Sequence, residues 1–281
     1  MNPSPQQPET IPTIIIQPTT GWVSLRLQEL VEYRDLLFFL VWRDIQVRYK
    51  QTVLGVAWAL IQPLLAMLIF SVFFGRLAKI PSDGVPYPIF AYCGLLPWQL
   101  FSHALTESGN SLVANERLIT KVYFPRLVIP LSAVLAGLVD FMIASLLLIG
   151  MMISFHVMPT AAVWTAPFFV VLAVTTALAA GLWLSALNVR YRDIRYTIPF
   201  LAQFLLFATP VVYPSSLLPH RWQSVYGLNP MAGVVEGFRW AMLGTQLSWG
   251  LVATSVASTL VLLIGGLFYF RRTERTFADL I

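Results

Sequence analysis

Leu127 to Phe155 reads LVIPLSAVLAGLVDFMIASLLLIGMMISF, 29 residues with a single charge, Asp140. A bilayer core about 30 Å thick is crossed by roughly 20 apolar helical residues, so this stretch is a membrane span with length to spare. Five further uncharged stretches stand on either side of it: Val53 to Phe74, Ile89 to Thr106, Ala161 to Leu187, Ile198 to Tyr213, and Leu247 to Phe270. Together the six hold 136 of 281 residues, which leaves no room for a second, soluble domain. Composition agrees: 57% of the chain is hydrophobic and 11% charged, against about 45–50% and about 25% in soluble domains. The expected fold is an all-α polytopic membrane protein with six transmembrane helices over 53–270.

The flanks read differently. Residues 1–20 carry five prolines among Gln, Thr and Ser, without the basic start and apolar core of a signal peptide, and are expected to form a disordered cytoplasmic tail. Over 21–52, Leu27, Leu30, Val31, Leu37, Phe38, Val41 and Ile45 fall near helical spacing, interrupted by Glu29, Arg34, Asp35, Arg43 and Asp44. That pattern predicts an amphipathic interface helix on the membrane surface. Residues 271–281 form a short C-terminal tail, expected to be cytoplasmic.

Lys and Arg are retained on the cytoplasmic side of a membrane, so the segments between spans set the orientation. With the N-terminus inside, 14 of the 18 basic residues are cytoplasmic, and only Arg76, Lys79, Arg221 and Arg239 lie outside. An even number of spans puts the C-terminus inside as well. The net charge of +5 is thereby a matter of topology, and nucleic acid is not expected as a partner. After the fifth span, Pro214 to Gln246 is unusually apolar for a loop. Met231, Val234, Val235, Phe238 and Met242 keep helical spacing around Glu236 and Arg239. Short re-entrant outer helices between spans five and six are expected, their backbone buried in protein or lining a wet cavity. A helix resting on the headgroups is the alternative.

Several chemistries lack their residues. None of the sixteen glycines precedes a lysine, so there is no P-loop to hold ATP. No H-E-x-x-H, G-x-S-x-G or D-x-D is present. One cysteine, Cys93, and three dispersed histidines, His103, His156 and His220, offer neither a disulfide framework nor metal-ligand spacing. No cofactor is expected in this chain.

The polar residues that remain are open to two readings each. Asp140 is the only carboxylate well inside a span, with no Lys or Arg expected at its depth; it either faces a substrate path or fixes helix packing. His103, one turn before Glu107, reads as a packing hydrogen bond or a weaker functional group. Phe200, Phe204 and Phe207, with Gln203, form one stripe, and Trp58 shares a face with Gln62. Such stripes either line a glycan conduit, rings stacking on sugars and amides binding hydroxyls, or simply pack against lipid and helices. Asn115 to Val122 forms a short amphipathic element stopped by Pro125, either a docking element for a soluble partner or a connector.

These residues also compose recognisable motifs: Tyr33-Arg34-Asp35-Leu36-Leu37, Trp42-Arg43-Asp44, Arg48-Tyr49-Lys50-Gln51-Thr52 and Gln62-Pro63-Leu64. Further along stand Gly94-Leu95-Leu96-Pro97-Trp98, Lys121-Val122-Tyr123-Phe124-Pro125-Arg126, Asn188-Val189-Arg190-Tyr191-Arg192-Asp193 and Asn229-Pro230-Met231. From about residue 22 to 272 the chain resembles the membrane subunit of type-2 ABC exporters for polysaccharides such as O-antigen, capsule or teichoic acid. The resemblance implies a homodimer docked on two copies of a separate cytoplasmic ATPase, which binds the ATP and Mg, and export of a lipid-linked polysaccharide. It implies an interface helix over Leu25–Lys50, including Arg43, Asp44 and Arg48. It further implies a coupling helix over Asn115–Lys121, including Glu116, Arg117 and Leu118, and outer gate helices between Ser215 and Leu243, including Met231, Val235, Glu236, Phe238 and Arg239. The conduit-lining aromatics do not transfer by motif. Two other readings stand beside it: the same architecture exporting a small drug or lipid, and a membrane enzyme using Asp140 and His103 as acid and base.

Overall fold

The computed structural model describes residues 28–50 and 55–277; the proline-rich tail over 1–20, the first residues of the expected interface helix, the junction at 51–54 and the last four residues lie outside the described residues. Every regular element among the described residues is helical. In chain order these are α1 (Gln28–Glu32), α2 (Arg34–Lys50), α3 (Gly55–Phe70), α4 (Tyr87–Ala114), α5 (Glu116–Lys121) and α6 (Val128–Ser154). There follow α7 (Ala166–Arg190), α8 (Ile194–Phe207), α9 (His220–Tyr226), α10 (Pro230–Leu243) and α11 (Trp249–Thr273). A π-helical segment, Ser71–Leu77, prolongs α3, and a 3-10 turn, Ala161–Thr165, leads into α7.

Four of the six expected spans are long and apolar enough to cross a bilayer: Ala57–Leu77, Val128–Ser154, Ala161–Arg190 and Trp249–Thr273. The other two differ in an instructive way. The expected second span lies within α4, which runs for 28 residues and carries Ser, Thr, Asn, Gln, His and Glu. It tolerates them because it is the central helix, packed against α3, α6, α7, α8 and α10. The expected fifth span shrinks to α8, whose 14 residues reach only about 21 Å at 1.5 Å per residue. Its predicted end, Ala208–Tyr213, leaves the helix because Pro210 cannot continue it.

Close approach of small residues and a few hydrogen bonds hold the bundle, as expected where lipid offers no hydrophobic drive between helices. A Cβ on Gly181 would strike Ser108 on α4, and one on Gly237 would strike the Phe169 ring on α7. The Asn188 amide donates to the Gly109 carbonyl at 3.0 Å and to Asn110 Oδ1 at 3.1 Å, tying α7 to α4. Thr176 and Thr259 hydroxyls meet at 3.0 Å between α7 and α11.

At the end of the bundle rich in Arg and Lys, a second core gathers Leu40, Leu112, Ile119, Phe124, Leu182, Phe270 and Phe277. Here one side of α2, within the expected interface helix, rests on the bundle. α2 buries Leu40 and leans Leu36 and Leu37 on this core beside α6, leaving Phe38, Phe39 and Trp42 exposed. The described part of the C-terminal tail is equally anchored: Phe277 is buried edge-on against Phe270, ring centroids 5.3 Å apart. Arg271 pairs with Glu274 at 3.0 Å and with Glu29 of α1 at 3.6 Å.

Candidate functional site

Two cavities adjoin along α6. The larger, about 740 Å³ and open on one side, lies among α3, α4 and α6; Trp58, Gln62, Trp98 and Gln99 stand in its wall and His103 and Asp140 lie among its polar groups. The smaller, about 490 Å³, lies nearer the basic end, among Arg43, Asp44, Glu107, Asn110, Asn115 and Ala136. Arg48 lines both.

The expectation that no basic residue reaches the depth of Asp140 is corrected. Because α2 packs against α6, its last turn brings Arg48 into an ion pair with Asp140, and the Tyr49 hydroxyl donates to the other carboxylate oxygen. Burial, then the hydrogen bond to Asp140, push the Tyr49 phenol above its ordinary range, so it stays a donor. His103 Nε2 is 3.8 Å from the same carboxylate and has no hydrogen-bond partner among the described residues. A contact spanning 92 positions in sequence cannot be read from helical spacing. A polar stripe on α4 can: Gln99, Ser102, His103 and Thr106 stand at i, i+3, i+4 and i+7, and all four line the larger cavity. Sequence reasoning took only His103 from it.

The stretch between α8 and α11 is built from its sequence in legible steps. Asn229 caps α10, its side chain accepting from the Met231 N–H at 3.1 Å, with Pro230 in the first turn. Gly244, at φ 71°, ends it in the left-handed conformation. Among the residues between those ends, Met231, Val235, Glu236, Phe238 and Arg239 are all buried, so of the two expected settings the protein-buried one is found.

Arg239 is the centre of this region. Its guanidinium donates to the carbonyls of Phe90 at 3.2 Å, Pro210 and Val211, and pairs with Glu236 at 3.2 Å. It lies 3.8 Å from the Phe90 ring centroid. Glu236 in turn accepts the Ser215 N–H at 3.2 Å. The carbonyls freed where α8 ends are met by side chains: Phe207 O by the Tyr213 hydroxyl at 3.1 Å, Ala208 O by Tyr226 at 2.8 Å and Asn229 at 3.0 Å.

The other sequence-predicted residues fall into separate places. Trp58 and Gln62 share the larger cavity, whereas Phe200, Gln203, Phe204 and Phe207 form an exposed stripe on α8 that does not face it. Within one subunit the two candidate conduit stripes are therefore apart. On α5, Ile119 is buried while Glu116, Arg117 and Lys121 are exposed and Leu118 is half-buried. Arg43 pairs with its neighbour Asp44 at 2.7 Å. Among the described residues, no group of three or more His, Cys, Asp and Glu is placed to hold a metal ion.

Known proteins resemble this chain along most of its length. A family model described as ABC-2 type transporter matches residues 35–243. The O-antigen export system permease protein RfbA of Myxococcus xanthus is 32% identical over 216 residues, 76% of this chain and 82% of its own. A protein of the same name from Klebsiella pneumoniae is 27% identical over 248 residues, covering 88% of this chain and 95% of its own. The polysialic acid transport protein KpsM of Escherichia coli is 26% identical over 245 residues, covering 83% and 91%.

Proposed function

The chain belongs to the ABC-2 type transporter family, and from that premise we propose that it is the permease subunit of an exporter that carries a lipid-linked polysaccharide, O-antigen foremost, across the bacterial inner membrane. The observation that carries this reading is a match to O-antigen permeases running over 88% of this chain and 95% of the relative. Such subunits are transporters, and Asp140, held by Arg48 and Tyr49, has a role in tying helices rather than in acid–base chemistry.

The energy comes from a separate ATPase, two copies of which bind a homodimer of this chain at its basic, cytoplasmic end. Exposed Glu116, Arg117 and Lys121 on α5, backed by buried Ile119, give that partner a charged surface on a firm base. Both termini lie on the same side, and α4 and α8 complete a set of six membrane-traversing segments. Two faces support a second copy: α3, with 11% of its most apolar stretch buried, and the exposed aromatic stripe of α8. Between two such copies Phe200, Phe204 and Phe207 would flank a conduit that neither subunit encloses alone.

The test is to purify the chain from its native membrane and reconstitute it. An ABC ATPase should copurify, glycan transport should require it, and deletion of the permease should leave undecorated cells with lipid-linked glycan accumulated on the inner leaflet. A chain that transports with no ATPase attached would end the proposal. So would unchanged surface glycan in the deletion strain.

A further inference from the structure

The two cavities lie on a single face of α6. Ile129, Ala133 and Ala136 line the smaller one, and Gly137, Asp140, Phe141 and Ala144 the larger, so that Asp140 is the one polar side chain α6 gives to either. Residues 133 to 144 span about 16 Å of helix at 1.5 Å per residue. Four small residues make up most of that stretch of the face, Phe141 is its bulky apolar member, and its one charged obstruction is Asp140 with the Arg48 side chain drawn onto it. Arg48 borders both spaces. The obstruction is held by the last turn of α2, next to the junction with α3, which also walls the larger cavity.

We propose that the Arg48–Asp140 ion pair is a removable partition between these cavities, and that when it opens the sugar portion of an amphipathic substrate is loaded from the basic end into the larger one. This rests on the exporter reading above and assigns it a subsite within each subunit. The chemistry of the larger cavity favours a neutral, polyhydroxylated group. Opening the pair leaves one cation and one carboxylate, with no surplus positive charge, while Trp58 and Trp98 offer flat apolar faces and Gln62, Gln99 and Ser102 offer hydrogen-bonding groups. An aromatic face with uncharged donors and acceptors suits a sugar ring better than a phosphate, which calls for a surplus of cations. The partition is also a link: α2 cannot move away from α6 without breaking it.

The test uses the permease–ATPase complex in inside-out membrane vesicles, with Gln99→Cys as reporter in the larger cavity and a membrane-impermeant thiol reagent. With Asp140 and Arg48 in place, labelling should be slow. Asp140→Asn or Arg48→Gln should raise its rate at least tenfold, and the exchange Arg48→Asp with Asp140→Arg should restore slow labelling. Native Cys93, buried on the same helix, monitors folding. If Cys93 reacts in Asp140→Asn, that variant has lost its packing, and Arg48→Gln and the exchanged pair decide the matter. Dodecyl maltoside below its solubilising concentration should protect the opened cysteine, and dodecylphosphocholine should not. Labelling that is fast with the pair intact, or unchanged when it is removed, overturns the partition, and equal protection by the two amphiphiles overturns the sugar assignment. Labelling needs no glycan, so failure of export with a working partition would strike only the exporter reading.

Discussion

Replacing Arg239 by Met tests whether the outer region is a rigid strut. Methionine keeps the apolar stem but removes a guanidinium that serves three carbonyls and Glu236. Glu236, 2% exposed, is then left with the Ser215 N–H. Breaking a buried pair from one side costs about 3–5 kcal/mol. Loss of the charge-assisted bonds and of the contact with the Phe90 ring adds to this, so about 4 kcal/mol is a conservative figure. At about 2–4 °C per kcal/mol for a chain of this size, the apparent melting midpoint at fixed scan rate should fall by roughly 8–16 °C. The order of variants is more telling than the size. Glu236→Gln should be mildest, since Arg239 keeps its carbonyls. The double variant should fall between the two singles, because it strands no charge although three carbonyls lose their donor. Arg239→Lys should lose much of the stability too, a single ammonium being unable to fork among four acceptors. A midpoint for Arg239→Met within about 2 °C of the unsubstituted protein, the least that a single kcal/mol would produce, would refute the strut. Strict additivity in the double variant would refute the role given to the stranded charge.

Gly237→Ala should cost about 1–3 kcal/mol by driving a methyl into the Phe169 ring, whereas Gly150→Ala, with nothing within 4 Å, should be unchanged or gain up to about 1 kcal/mol; thermal melts in the same detergent compare them. Phe277→Ala should destabilise by about 3–5 kcal/mol, an unusual sensitivity for a residue so near the C-terminus, read by the same melts. Arg117→Glu and Lys121→Glu, both on the exposed side of α5, should leave the melt unchanged while weakening ATPase copurification and glycan export; full export by both would remove α5 as the docking element.

The spans were legible where one physical rule governs a long stretch. Val128–Ser154 falls within a residue of its predicted bounds because lipid contact demands an unbroken apolar run. Legibility fails where protein replaces lipid as the solvent. α4 continues past Thr106, where a hydropathy scan stops, through exposed Glu107 and through Asn110, whose side chain is met by Asn188 of α7. The helix over 230–243 was read from the spacing of Met231, Val234, Val235, Phe238 and Met242, a local signal. Arg48 at Asp140, Arg239 at Phe90 and Phe277 at Phe270 depend on how helices stack, and only the last lies within a few turns of sequence. The cavity was half legible: Trp58, Gln62, His103 and Asp140 were singled out, and the α4 stripe that joins them was not.

Burial is uneven in a way that bears on motion. α4, α7, α10 and α11 share the largest core and are cross-tied by Asn188, Thr176 with Thr259, and the Gly233 N–H to Ser255 Oγ at 3.0 Å. Little in that group can shift without breaking buried polar contacts, each costly where no water can replace it. α8 is fixed at one end only: around Ala208–Val211 it is bound by Tyr226, Asn229 and Arg239, while toward its start Ile198 is its one fully buried side chain, packed near Gly109. α3 packs chiefly on α4 and α6, carries Pro63 within it and passes into a π-helical segment, so its own ladder is already interrupted at two places. α3 and the first turns of α8 are therefore the least tied parts of the bundle. Both also carry exposed aromatic side chains, Trp58 on α3 and Phe200 and Phe204 on α8, so moving either uncovers little further apolar surface.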